Sequence, residues 1–201
     1  MGLSEEKILE NKDIIEKLIA QMKPDAKRKM VQNMFEQIGE EFFLAPASSK
    51  EEYHGCFPGG LADHSLRVVT TLIKITNALV PARYSHADLV FLGLMHDLGK
   101  VGDVGVPLYV PNEGQDNAWK RKKGWLYDSN KELQPYMPVC DRTMFLLNKF
   151  GIPVSAEEYV AIRVSDGPAE KSNEKYTMKE PDLALLLHMA DRWACALEKQ
   201  S

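Results

Sequence analysis

The chain has 201 residues, 44% of them hydrophobic and 27% charged, with a formal net charge of −4. That length supports one sizeable domain that buries roughly 70% of its unfolded surface. The acidic balance excludes wholesale coating of nucleic acid and leaves room only for a local basic groove.

Helices dominate the predicted elements. Ser4 opens an amphipathic segment whose apolar positions Ile8, Ile15, Leu18, Ile19 and Met22 recur at helical spacing. Pro24 interrupts it, and a second segment runs through Met30, Val31, Met34, Phe35, Ile38 and Phe42 until Ala45-Pro-Ala-Ser-Ser49. Phe57-Pro-Gly-Gly60 predicts a tight turn into a helix that begins near Leu61 and stops near Pro81. Its expected inward positions are Leu66, Val69, Leu72, Ile73 and Leu79. Ser85, with Asp88 three residues on, predicts a capping box at the start of the helix that ends in His96-Asp97. From Val101 to Val139 the Gly, Pro, Asn and Asp residues break any helical period. Such a long irregular stretch inside a domain usually carries function. Within it, Ala118 to Tyr127 predicts a short β-hairpin turning at Lys123-Gly124. Helices resume from Asp141 to Phe150, from Ser155 with Glu158 as a second capping box, and from Asp182 to Leu197. Leu183, Leu186, Leu187, Ala190 and Ala194 form the apolar side of the last. No repeat, low-complexity tract or linker divides the chain, so the expected fold is one all-α domain over residues 1–201, with residues 1–45 as an N-terminal helical extension.

Cys56, Cys140 and Cys195 are odd in number, far apart and form no C-x-x-C pair. They indicate neither a disulfide framework nor a zinc knuckle and read as reduced, small apolar side chains. No apolar run approaches the ~18 residues of a membrane span, and the first residues lack the basic-then-apolar form of a signal peptide. The expected compartment is the cytoplasm, with no membrane partner.

The chemistry centres on Asp88-Leu-Val-Phe-Leu-Gly-Leu-Met-His-Asp-Leu-Gly-Lys100. His96 and Asp97 are adjacent on a helix, so their side chains point about 100° apart and cannot satisfy one buried neighbour. Two polar groups at the edge of an apolar helix are costly unless compensated, and a bound cation compensates both. His64 and Asp191 complete a candidate ligand set drawn from three helices. Two imidazoles with two carboxylates favour Mn²⁺, Fe²⁺, Co²⁺, Ni²⁺ or Zn²⁺ over Ca²⁺. Such an ion can lower the pKa of its water from 15.7 to about 7 and neutralise charge on a phosphate oxygen.

His64, then His96-Asp97, then Asp191 resembles the H…HD…D order of the HD-domain metal-dependent phosphohydrolases. Tyr53-His-Gly-Cys-Phe-Pro-Gly-Gly-Leu-Ala-Asp-His-Ser-Leu66 is similar to the first motif of the HD domain in the bacterial 3′–5′ exoribonuclease family. Met95-His-Asp-Leu-Gly-Lys100 and Met189-Ala-Asp-Arg-Trp193 resemble the same superfamily. The segment from Trp119–Trp125 through Ala161-Ile-Arg-Val-Ser-Asp-Gly167 is similar to small bacterial and phage HD proteins. The resemblance spans residues 50–197 and implies an HD-domain helical bundle as the core.

The resemblance implies His64, His96, Asp97 and Asp191 as metal ligands, with Asp97 placed to bridge to a second ion. Relatives often carry histidine around Ser165-Asp166-Gly167, where it helps hold that second ion. Ser165 is a poor ligand, so one tightly bound divalent transition metal is expected. Lys100 either contacts a phosphate or leaving group or sits exposed at a helix C-terminus where the dipole favours it. Arg67 and Arg192 either grip phosphate or form structural ion pairs. Asp166 serves the site or caps a turn, and His54 lines the pocket or bonds backbone. His188 points to the site or packs, and His86 reads as an ordinary residue at a helix start. Lys120, Arg121, Lys122 and Lys123 between two tryptophans either guide the phosphates of a short single-stranded nucleic acid or form a solvated ribbon.

The expected function is metal-dependent hydrolysis of a phosphate ester in a nucleotide or short oligonucleotide by activated water, with Asp97 and Lys100 as the catalytic pair. The alternatives are a non-catalytic HD nucleotide-binding or accessory module and a di-iron HD oxygenase. The oxygenase would want the histidine that Ser165 replaces.

Overall fold

The structure is a computed structural model that describes residues 2–167 and 170–198. Helix α1 (Glu5–Ala20) starts where the Ser4 hydroxyl accepts from Lys7 N, and α2 (Asp25–Ile38) follows the Pro24 break. The second amphipathic segment is not continuous. Gly39, at φ 64°, ends α2, and Phe42 and Phe43 belong to a separate turn, α3 (Glu41–Leu44).

Helix α4 (Gly60–Leu79) is the centre of the molecule. Gly59, at φ 84°, turns the chain into it, a backbone state that glycine adopts without steric cost. Leu61, Val68, Val69 and Leu72 are buried, whereas Leu79 is 61% exposed, contrary to its expected inward position, because it is the last residue of the helix, past Thr76, the last position the helix buries. Helix α5 (His86–Met95) carries the predicted Ser85–Asp88 capping box and is apolar all round, with Leu89 to Met95 buried. Fully burying each of its large side chains contributes roughly 1.5–3 kcal/mol, which fixes the helix that ends in His96. Gly93 lets α5 close on α4: a Cβ there would stand 2.5 Å from Val69 Cγ2 and 2.8 Å from Val69 Cα.

A 3-10 turn (Leu98–Val101) follows, then two small antiparallel strand pairs. Strands β1 (Gly102–Asp103) and β2 (Val106–Pro107) pair locally. Strands β3 (Tyr109–Pro111) and β4 (Tyr127–Ser129) pair in the register Val110 opposite Asp128. The insertion thus contains short hairpin structure, but not at Ala118–Tyr127. Residues Ala118–Lys122 form a helical turn, α6, in the connection from β3 to β4. Ala and Lys are poor strand formers, and the tryptophan side chains stay 57% (Trp119) and 38% (Trp125) exposed, so no buried face imposes a period of two.

Helices α7 (Val139–Lys149), α8 (Ala156–Arg163) and α9 (Asp182–Glu198) close the domain, and α8 starts with the predicted Ser155–Glu158 capping box. α4 packs against both α5 and α9, α8 against α9, and α7 against the 3-10 turn. Leu183, Leu186, Leu187, Ala190 and Ala194 are buried, so the apolar side of α9 is the one its sequence predicts. The N-terminal helices join this core, with α1 lying on α4 and Ile15, Ile19, Val31, Met34 and Ile38 buried in a common cluster. Among the described residues the fold is helical with two small strand pairs, and no helix is long and apolar enough to cross a membrane.

Candidate metal centre

Packing of α4 between α5 and α9 converges three helices on one point. His64 stands in the second turn of α4, His96 caps the C-terminus of α5, Asp97 follows it, and Asp191 lies midway along α9. His64 and His96 are 0% and 2% exposed, Asp97 6%. His64, His96 and Asp191 each place a ligand atom within 4.8 Å of the other two. His64 Nε2 is 3.0 Å from Asp191 Oδ1 and 3.7 Å from Asp97 Oδ2, and His96 Nε2 is 3.3 Å from Asp97 Oδ2 and 3.9 Å from Asp191 Oδ1.

These short approaches are not hydrogen bonds. Among the described residues both Nε2 atoms are buried without a hydrogen-bond partner, although His64 Nε2 lies 3.0 Å from Asp191 Oδ1. Leaving a buried polar atom unsatisfied costs about 1–3 kcal/mol. The opposite ring nitrogens are held. His64 Nδ1 donates to Glu198 Oε1 at 3.0 Å, and His96 Nδ1 donates to the Gly93 carbonyl at 3.0 Å. A carbonyl only accepts, so Nδ1 of His96 carries the proton and its Nε2 lone pair faces the cluster. Fixing Nδ1 on a carboxylate or carbonyl is how metal-ligating imidazoles are oriented. The His and Asp side chains therefore fit a divalent cation in chemistry, burial and direction.

Charge in the cluster is mutually dependent. Burial disfavours a charged His64, but Asp191 and Glu198 outweigh it and raise the imidazole pKa from 6.5 to about 9. Burial also disfavours the Asp97 carboxylate, but Lys100 and His96 hold it well below the ordinary carboxylate range. Lys100 Nζ donates to Asp97 Oδ2 at 2.6 Å, and only 12% of its side chain is exposed, so it is not a solvated lysine at a helix end.

A cleft of about 550 Å³ opens over the cluster, lined by His54, Lys100, Tyr109, Asp166, Asp191 and Arg192. Burial, reinforced by Lys100 and His64, lowers the His54 pKa to about 3, so that ring is neutral. A second cavity, of about 690 Å³, shares Lys100 and Tyr109 with the cleft and adds Leu44, Pro46, Pro107 and Tyr127. Arg67 stands apart from the cleft. It donates to Asp63 at 2.9 Å and lines a neighbouring cavity with Tyr53 and Phe57. His188 Nδ1 donates to the Ser165 carbonyl at 2.9 Å and packs over Gly167, Ser165 Oγ donates to the Ile162 carbonyl, and His86 is exposed at the start of α5. Lys120 pairs with Asp128 and Arg121 donates to the Asn112 carbonyl, while Lys122 and Lys123 remain exposed.

Two residues beside the cluster escaped the sequence reading. Glu198 orients His64, and Cys195, read as a small apolar side chain, places its sulfur 3.3 Å from His54 Nδ1 and 3.6 Å from Asp191 Oδ1. Asp191, Cys195 and Glu198 are spaced i, i+4, i+7, one face of a helix, and that spacing was the available signal. Comparison with family models, with curated proteins and with solved structures gives no match.

Proposed function

We propose that this protein is a divalent-metal-dependent phosphohydrolase of the HD type, cleaving a phosphate ester of a nucleotide or short oligonucleotide. The observation that carries the reading is the pair of buried Nε2 atoms of His64 and His96, unpartnered among the described residues and 3.0 and 3.9 Å from Asp191 Oδ1, beneath a cleft that presents Lys100 and Arg192. His64, His96, Asp97 and Asp191 would hold one transition-metal ion. When bound, such an ion supplies Lewis acidity toward a phosphate oxygen and acidifies water toward a pKa of about 7.

The remaining work falls to the side chains. Asp97 stays ionised beside Lys100, so its carboxylate is available to a cation. Lys100 has N–H groups beyond the one donated to Asp97 and lines the cleft, where they would meet a phosphoryl or leaving-group oxygen. Arg192 at the rim adds a bidentate donor for the same phosphate. The tyrosine and proline walls of the adjoining cavity suit the flat apolar face of a base.

The test is elemental analysis of the purified chain beside Asp97→Ala, followed by a phosphate-release screen of mononucleotides and short oligonucleotides with Mn²⁺, Co²⁺, Ni²⁺ or Zn²⁺. About one transition metal per chain, with phosphate release that Asp97→Ala abolishes, is expected. A chain that takes up no metal from any of these salts would sink the reading; metal uptake without phosphate release would favour a nucleotide-binding module.

A further inference from the structure

The four ligands above leave a second group of donors beside them unexplained. His54 and Cys195 line the same cleft, brought together from the loop before α4 and from α9. Cys195 Sγ lies 3.3 Å from His54 Nδ1 and 3.6 Å from Asp191 Oδ1, and Asp191 Oδ1 lies 3.0 Å from His64 Nε2. His54, His64 and Cys195 each offer a ligand atom within 4.8 Å of the other two. In a tetrahedral site with bonds of about 2.0–2.1 Å to nitrogen or oxygen and about 2.3 Å to sulfur, neighbouring ligand atoms stand about 3.3–3.6 Å apart. The Cys195 edges match that spacing before any ion draws them in.

Hydrogen bonding within the protein does not use up these donors. The Cys195 sulfur has both His54 Nδ1 and Asp191 Oδ1 within reach, and among the described residues His54 Nε2 and His64 Nε2 are both buried without a hydrogen-bond partner. His64 is 0% exposed and Cys195 8%, so these groups meet in a largely water-excluded corner.

We propose that the cleft contains a second, sulfur-bearing cation site formed by His54, Cys195, Asp191 and His64, selective for a thiophilic divalent cation such as Zn²⁺ or Cd²⁺. It overlaps the His64–His96–Asp97–Asp191 set through His64 and Asp191, so one ion at a time occupies the pair of sites. A thiolate selects soft and borderline ions, whereas a set of carboxylates and imidazoles admits harder ones such as Mn²⁺. The identity of the bound metal therefore decides which set is filled. On binding, the Cys195 S–H bond breaks, the sulfur–metal bond forms and the proton leaves to solvent, with no change of oxidation state. The assignment extends the ligand chemistry of the centre and does not depend on hydrolysis.

Cobalt(II) tests it without an activity assay, because thiolate ligation adds a strong near-ultraviolet sulfur-to-cobalt charge-transfer band to the weaker visible bands of the ion. The 201-residue chain, stripped with a chelator, is titrated with Co²⁺ alone. The charge-transfer band should appear in the unaltered protein and in His96→Ala, disappear on addition of Zn²⁺, and be missing from Cys195→Ala, which keeps only visible bands. Cys195→Ser repeats the comparison if the alanine variant does not fold. Visible cobalt bands without charge transfer in the unaltered protein would overturn the sulfur site while leaving the His96–Asp97 centre standing. A band that survives in Cys195→Ala would place the ion on Cys56 or Cys140 and overturn it equally.

Discussion

Two regions bring charge to this molecule in opposite ways. At the junction of α4, α5 and α9, charged and polar groups are buried and directional: His64 is tied to Glu198, His96 to a carbonyl of its own helix, Asp97 to Lys100. In the strand-and-turn segment from Gly102 to Ser129, the basic residues are exposed or paired with near neighbours, as Lys120 is with Asp128. Buried groups must be satisfied one by one, so their arrangement encodes chemistry. Exposed groups are satisfied by water, so theirs encodes at most a local field.

That contrast can be broken first at a ligand. His64→Ala should reduce bound metal by more than 100-fold and abolish any phosphate release, read by elemental analysis of the purified variant. Removing only the support should hurt less. Glu198→Gln leaves the ligand set intact but weakens the hold on His64 Nδ1, and metal affinity should fall about 10–100-fold in a competition titration. An unchanged affinity would mean that packing alone orients the ring.

Acidity sharpens the comparison further. In the metal-free protein the raised pKa of His64 contributes stability that is fully present below pH 6.5 and lost as pH rises through about 9. Metal binding needs the neutral ring, so affinity should climb up to about tenfold per pH unit below that upper value. Melting curves from pH 6.5 to 9 should show the metal-free protein losing stability while the shift induced by Mn²⁺ grows. The smallest effect belongs to the exposed segment. Lys122→Ala with Lys123→Ala should change stability by no more than about 0.5 kcal/mol and leave metal content intact. Weaker and less salt-dependent binding of a short oligonucleotide, with mononucleotide binding unchanged, would show that the segment guides phosphates.

The same contrast explains what was legible in the sequence. The helices were, because burial writes a period into residues such as Leu183, Leu186, Leu187, Ala190 and Ala194, and capping boxes at Ser85 and Ser155 mark helix starts chemically. So was the meeting of His64, His96 and Asp191, with Asp97 3.3–3.7 Å from both imidazoles, since burying such groups calls for a common partner. The hairpin was misplaced at Trp119–Trp125 because tryptophans flanking a Lys-Gly step mimic a strand pair when nothing buries either face. Cys195 and Glu198 were missed because a cysteine and a terminal glutamate acquire meaning only from the α9 face they share with Asp191.

Asn11 on α1 donates to Asp63 Oδ1 at 3.1 Å within the protein interior, and Asp63 precedes His64 and holds Arg67 through its other oxygen. The first helix thus acts as a splint: it is clamped to the side chain of the residue that precedes the imidazole. Excising residues 1–45 would not trim an appendage but uncover one flank of α4 and leave the carboxylate beside His64 held by Arg67 alone. The extension and the core are one mechanical unit.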